Sequence, residues 1–198
     1  MSLLELIFWI LLFIVFYTYL GYGIILYLIV LVKECLIKHK SDIAIVDKYP
    51  DVTLLIPAYN EEAVIADKML NTKQIENPGD KLNVVWVTDG STDSTNEKLS
   101  SYSDVKVFFD SKRSGKTAAI NRVVPLIDTS LIIFTDANTM LNKESVYEIV
   151  RAFDDKKVGC VAGEKRILLK GKESASSGGE GIYWRYESFL KSLDSRLY

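Results

Sequence analysis

The residues of this chain best equipped for chemistry gather in five short polar segments, each placed directly after an apolar run. Asp136-Ala137-Asn138 offers two oxygen ligands two residues apart. In extended backbone those side chains share a face, so both can approach one hard cation such as Mg²⁺ or Mn²⁺. A turn or Asx motif accounts for the same triplet. Asp89-Gly90-Ser91-Thr92-Asp93 supplies a carboxylate that can accept hydrogen bonds from a base or a ribose, or else forms a turn with a helix cap. In Pro57-Ala58-Tyr59-Asn60-Glu61-Glu62 the proline ends a strand, and the acids suit the first turn of a helix. Lys112-Arg113-Ser114-Gly115-Lys116 is basic and opens a helix, so its backbone N–H groups and Lys116 can hold phosphate oxygens. Gly163-Glu164-Lys165-Arg166 completes the set.

Other chemistries are excluded or disfavoured. Ser114-Gly115-Lys116-Thr117 looks like the end of a phosphate-binding P-loop, but that pattern needs glycine where Asp110 stands, and it belongs after a first strand. The one histidine, His39, rules against a histidine metal cluster or a Ser-His-Asp triad. Two cysteines, Cys35 and Cys160, are too few for a disulfide framework and read as reduced thiols. With 24 Lys+Arg against 26 Asp+Glu, the chain lacks the basic excess of a nucleic-acid binder. Its 48% hydrophobic and 25% charged content exclude wholesale disorder.

The polar segments need a scaffold, and the hydrophobic pattern supplies one. Strands are expected at Val52–Ala58, Asn83–Thr88, Val105–Asp110, Ser130–Asp136 and Val158–Ala162. Helical patterns lie between them at Glu61–Ile75, Ser94–Tyr102, Lys116–Ile127 and Lys143–Asp154. Alternation of this kind implies βαβ units and a mostly parallel sheet, with ligands at the carboxyl ends of the strands. Five polar ends on one edge outline a pocket. The Gly/Ser-rich stretch Gly171–Gly181 reads as a loop, either a plain connection or a lid. The final segment, Trp184–Tyr198, reads as an amphipathic helix that should pack on something.

Ahead of this lies a different kind of sequence. In the 30 residues Leu3–Val32 only Glu5, Thr18, Gly21 and Gly23 fall outside the hydrophobic set. About 20 apolar residues cross a bilayer core, and no signal-peptide features accompany the run. Lys33, Lys38 and Lys40 follow it and no basic residue precedes it, which places the rest of the chain in the cytoplasm, at the plasma or inner membrane. Gly21 and Gly23 can let another helix approach closely, but they lack the four-residue spacing of a helix-pairing motif, so tolerance of a kink is the expected role. The expected organisation is a transmembrane helix at 1–32, a connector at 33–50 and an α/β domain at 51–198.

In order and spacing, PAYNEE (57–62), DGSTD (89–93), RSGKTAAIN (113–121) and FTDAN (134–138) resemble the donor-binding half of the family-2 glycosyltransferases with a GT-A fold. The likeness is especially to membrane-bound processive synthases related to those of cellulose, hyaluronan and poly-N-acetylglucosamine, and GEKR (163–166) and YWRYE (183–187) extend it over about residues 50–198. The resemblance implies an inverting enzyme that takes a sugar from a nucleotide diphosphate, usually UDP, and passes it to a saccharide or lipid-linked acceptor. It further implies a Rossmann-like GT-A domain. Pro57, Tyr59 and Glu61 would surround the uracil and ribose, Asp89 would bind the base, and Lys116 would lie near the phosphates. Asp136 and Asn138 would reach the ribose, the diphosphate and its Mg²⁺ or Mn²⁺ ion, with Asn138 standing where the family usually has a second aspartate.

The later acidic motif carrying the family's catalytic base has no counterpart after Asn138. Glu164 is the nearest unassigned acid, Glu180 and Glu187 lie beyond it, and nothing around them marks a general base. The expectation is therefore a donor-binding amino-terminal part of a longer synthase, incomplete for transfer by itself. Two alternatives stand beside it: a non-catalytic nucleotide-sugar-binding or partner-binding module, and a different nucleotide enzyme that would prefer a triphosphate.

Overall fold

The computed structural model describes residues 2–36, 49–77, 79, 82–164 and 175–197, with the side chains of 175–180 outside the description. It divides into two compact units, Ala44–Gly163 and a second made of Met1–Ile43 with Glu164–Tyr198.

In the Ala44–Gly163 unit, four strands form one parallel sheet: β1 (Val52–Ala58), β2 (Leu82–Asp89), β3 (Lys106–Asp110) and β4 (Leu131–Phe134). Their order is β3-β2-β1-β4. Helices α3 (Ile65–Lys73) and α4 (Thr95–Ser100) link the first three strands, and α5 (Lys116–Val123) lies on the return to β4. A final helix, α6 (Ser145–Ala152), follows β4. Growth of the sheet therefore reverses at β1, which has β2 on one side and β4 on the other. In open α/β sheets such a reversal opens a crevice at the strand ends.

The two-residue period of a strand explains why β1 reads as a nearly unbroken apolar run. Val52, Leu54, Ile56 and Ala58 face one core with Trp86 from β2 and with α3, α4 and α6, through residues such as Ile65, Leu99 and Val146. Leu55 faces the opposite core with Val85, Val87 and, from α5, Ala119 and Val123. A strand buried on both faces has no polar alternation to show. Fully burying a side chain the size of Leu54 or Ile56 stabilises the fold by about 1.5–3 kcal/mol.

The expected first four strands and four helices are all present, with ends moved by a few residues. The fifth is not. Residues 158–162 carry no strand and are mostly exposed. Gly159 and Ala162 weaken β propensity, so the valines of that short run do not make a ladder on their own. The Gly/Ser stretch also departs from expectation, because a helix, α7 (Ala175–Leu197), begins within it and residues 175–181 are helical. Residues 171–174, like most of the 33–50 connector, lie outside the described residues.

In the other unit, α1 (Leu3–Phe16) and α2 (Tyr22–Leu36) are joined by a π-helical turn at Tyr17–Gly21. Together they make a continuous 34-residue helix long and apolar enough to cross a membrane. Glu5, the sole charge in the apolar run, belongs to a capping box with Ser2, in which each side chain accepts from the other residue's backbone N–H. α7 (Ala175–Leu197) packs along α2, where Leu193 is buried with Leu26 and Val30. Gly23 serves this contact rather than kink tolerance, since a β-carbon there would stand 2.7 Å from the Tyr186 hydroxyl. That hydroxyl donates to the Tyr19 carbonyl inside the π turn at 2.7 Å. Lys33 donates to the carbonyls of Arg196 and Leu197, at the favourable end of α7 for a cation, and Arg196 pairs with Glu34.

Candidate donor-binding site

At the carboxyl ends of the strands lies an open cleft of about 350 Å³. Four segments wall it, each released from a different strand end. β1 contributes Pro57, Tyr59 and Glu61; β2 contributes Asp89; the β3–α5 loop contributes Arg113, Gly115 and Lys116; and the segment after β4 contributes Asp136 and Asn138. Every residue expected from the sequence to meet the donor is among them. Of the fifth segment, Gly163 ends this compact unit and Glu164 belongs to the other, while Lys165 and Arg166 lie outside the described residues.

Cross-bracing of the first two loops sets the cleft wall. Asn60 takes a left-handed backbone conformation (φ 53°), which asparagine tolerates better than most residues. Its Oδ1 accepts from Thr92 N at 2.8 Å, while its own N–H donates to Ser91 Oγ at 3.2 Å. Glu61 N donates to Thr95 Oγ1 at 2.9 Å, and Ser94 N donates to the Glu62 carboxylate at 2.9 Å. The acids after Pro57 therefore do not cap α3, which starts at Ile65 without a side-chain cap. Asp93 accepts from the backbones of Glu62 and Thr95. Burial works against its charged form, but hydrogen bonds from Thr95 and Glu62 outweigh it and hold the carboxyl below its usual range.

Asp89, only 5% exposed, ties the basic loop to the sheet. Its carboxylate accepts from Ser114 N at 2.9 and 3.0 Å and from Gly115 N at 2.6 Å. The loop comes so close that Gly90 is required, with φ +69° and the Arg113 nitrogen 2.7 Å from where a β-carbon would sit. These bonds also dispose of the P-loop reading, because two N–H groups that would cradle phosphate are already engaged by a carboxylate. Arg113 turns back over the Tyr59 ring, its guanidinium carbon 3.8 Å from the centroid, a cation–π contact.

On the facing wall, residues 136–139 form a turn closed by Thr139 N on the Asp136 carbonyl at 3.2 Å. The backbone is not the extended strand expected, yet the outcome is alike: Asp136 and Asn138 are exposed and line the cleft, while Ala137 is buried. Lys116 forms an ion pair with Asp136 across the cleft. Beneath the turn, the fully buried Lys68 of α3 donates to Thr135 Oγ1 at 3.0 Å and to the Thr139 carbonyl. Burial pushes the Lys68 ammonium down to about 8, with the nearby Asp136 charge acting the other way.

For a divalent cation, these residues supply one carboxylate and one amide oxygen. Among the described residues no group of three or more His, Cys, Asp or Glu could hold a metal. Asp136 and Asn138 are the residues of this turn that could hold a hard cation such as Mg²⁺ or Mn²⁺.

The family model of glycosyl transferase family 2 matches residues 53–186, which carry all four walls. The chain belongs to glycosyl transferase family 2. This family-2 chain is 35% identical over 124 residues to a beta-monoglucosyldiacylglycerol synthase of Nostoc sp., covering 60% of this chain and 26% of that protein. It is 29% identical over 130 residues to the poly-beta-1,6-N-acetyl-D-glucosamine synthase of Staphylococcus aureus, covering 63% of this chain and 31% of that one. The chain thus spans about a quarter to a third of the length of these curated relatives. Among solved structures, a mannosyltransferase from Pyrobaculum calidifontis in complex with GDP-Man and Mn²⁺ superposes with a TM-score of 0.60 at 27% identity, covering 75% of this chain and 45% of its own. The parallel sheet with its flanking helices is the Rossmann-like GT-A fold.

Sequence reasoning passed over two residues. Arg113 was visible only as one basic residue in a basic loop, with no sign that it would reach Tyr59. Lys68 did leave a signal: it interrupts the apolar stripe Ile65, Lys68, Met69, Thr72 of α3, a position where an unpaired lysine is rarely buried.

Proposed function

We propose that this chain is the donor-binding part of a membrane-anchored, inverting glycosyltransferase that moves a sugar from a UDP-sugar to a saccharide or lipid-linked acceptor. One observation carries the proposal: Pro57, Tyr59, Glu61, Asp89, Lys116, Asp136 and Asn138, from four separate strand ends, line one cleft in a family-2 chain. In this reading Pro57, Tyr59 and Glu61 frame the uracil and ribose. Asp89 serves the base end of the site, directly or through the loop it anchors.

Transfer breaks the bond between the sugar's anomeric carbon and the diphosphate oxygen while an acceptor hydroxyl attacks from the opposite face. Negative charge grows on the departing diphosphate, so the protein's task is to place positive charge there in advance. Lys116, at the first residue of α5, supplies that charge. Asp136 holds the Lys116 ammonium in the cleft before the donor arrives. Asp136 and Asn138 are the residues that would hold a Mg²⁺ or Mn²⁺ ion, which when bound would supply further positive charge to the diphosphate. Among the acids beyond the cleft, Glu187 is paired with Lys191 on α7, and no general base is assigned.

The apolar helix Leu3–Leu36 supports the anchoring reading. The lysines after it favour a cytoplasmic catalytic unit. Holding the donor pocket at the membrane raises its effective concentration near a membrane-bound acceptor. Calorimetric titration of the detergent-solubilised chain with UDP, GDP and ADP, with and without Mn²⁺, tests the donor assignment. Selective UDP binding that Mn²⁺ strengthens is the expected result. Equal or tighter GDP binding overturns the choice of base, and absence of nucleotide binding by the folded chain overturns the donor site.

A further inference from the structure

We propose that Lys68 is a positioning residue that holds the diphosphate edge of the cleft in its working shape. Its side chain is 0% exposed, and among the described residues no carboxylate shares a hydrogen bond with it. The ammonium group instead spans the ends of the turn that carries Asp136 and Asn138, with Thr135 Oγ1 before the turn and the Thr139 carbonyl after it as acceptors. Asn71, one helical turn further along α3, grips the same segment. Its Nδ2 donates to the Leu141 carbonyl and its Oδ1 accepts from Leu141 N, both at 2.8 Å. Helix α3 thereby holds residues 135–141 at two points three residues apart on one face.

Burying a charged lysine without a contacting anion is costly, and an apolar residue would suit this face of α3 on packing grounds alone. The long stem of lysine, unlike shorter donors, reaches from the helix to both ends of the turn. Its position also places a second positive charge behind Asp136, with Lys116 in front. The turn is consequently gripped where Asp136 and Asn138 leave the sheet, and both side chains are kept on the cleft wall. Lys68 itself lies beneath the surface, so it acts through the turn and not on the donor.

This inference rests on the donor reading above, and the test separates the two. The full chain in mild detergent is titrated with UDP, with and without Mn²⁺, as wild type, Lys68→Met and Thr135→Val. Lys68→Met keeps the length of the stem and removes the ammonium. Thr135→Val removes one acceptor with little change in shape. We expect Lys68→Met to weaken UDP binding in the presence of Mn²⁺ about tenfold or more, and to lose most of the Mn²⁺ dependence, at unchanged circular dichroism. Thr135→Val should move both quantities the same way by a smaller factor, about two- to fivefold, and it decides alone if Lys68→Met does not fold. A folded Lys68→Met with wild-type UDP affinity and wild-type Mn²⁺ dependence overturns the positioning role while leaving the donor site standing. Equal weakening with and without Mn²⁺ also overturns it, because that pattern marks general loosening of the fold. Wild type that binds no UDP overturns the donor reading and this inference with it.

Discussion

Replacing Asp89 with alanine removes the acceptor for two backbone donors at once. Ser114 N and Gly115 N reach its carboxylate at 2.6–3.0 Å. Hydrogen bonds to a charged group are worth about 1.5–3 kcal/mol each, so the gross loss is about 3–6 kcal/mol. Ser114 is exposed and Gly115 half-buried, so water re-solvates part of what is lost. The expected destabilisation for Asp89→Ala is therefore about 2–4 kcal/mol, and for Asp89→Asn, which keeps one acceptor oxygen, about 1–2 kcal/mol. Urea unfolding of the chain in mild detergent, followed by pulse proteolysis, reads both values. UDP titration on the same samples separates two roles. A carboxylate that acts by anchoring the loop loses stability and affinity together. If Asp89→Ala costs less than about 0.5 kcal/mol yet abolishes UDP binding, the carboxylate meets the nucleotide itself and the loop-anchoring reasoning is refuted.

Other changes probe the remaining walls. Gly90→Ala forces a β-carbon into the left-handed region, 2.7 Å from the Arg113 nitrogen, and should cost about 2–4 kcal/mol in the same unfolding assay, where a change under about 0.5 kcal/mol would count against the close approach. Arg113→Ala frees the Tyr59 ring from its cation, and UDP affinity should change severalfold while stability moves by no more than about 1 kcal/mol; unchanged affinity means that the contact is incidental to binding. Asn138→Asp adds a carboxylate beside Asp136 and should tighten Mn²⁺ binding in the presence of UDP about tenfold, read from the free-Mn²⁺ signal in electron paramagnetic resonance, with weaker binding as the contrary result. Lys68 has a folded-state value lowered from 10.5 to about 8, so below pH 8 both states carry its proton and the folded state bears the whole burial penalty. Between these two values the unfolded chain binds more protons, stability rises with pH, and Lys68→Met should remove that part of the rise in urea midpoint.

Much of the protein can be read along the chain because its information is local. The run at Leu3–Val32 is apolar enough to show a long helix without any neighbour. Strand β1 matches its expected bounds of Val52–Ala58, since a strand buried on both faces is a continuous apolar run ended here by polar residues. The cleft residues were legible because each lies at or shortly beyond the carboxyl end of a strand, and a parallel sheet brings such positions to one edge whatever the order of its strands. The segment at 158–162 misled because a short valine-containing run has no local property separating a strand from an irregular segment.

What the tertiary structure decided lies in pairings between distant residues. No spacing in the sequence says that Asp89 is tied to the loop at 114–115, that Arg113 covers Tyr59, or that Asn60 and Glu62 bind the 91–94 loop instead of capping the next helix. Gly23 shows the same limit within the helical unit, because its need for a missing β-carbon comes from Tyr186 and Leu190, more than 160 positions away. Lys68 shows it most fully. Composition exposes the anomaly of a lysine on an apolar stripe, but only the packing of α3 under residues 135–139 provides the two oxygens that make its burial tolerable. Residue type and local pattern determine which groups can do chemistry and which edge of the sheet they reach; hydrogen-bond partners are chosen in space, where sequence separation carries no energy.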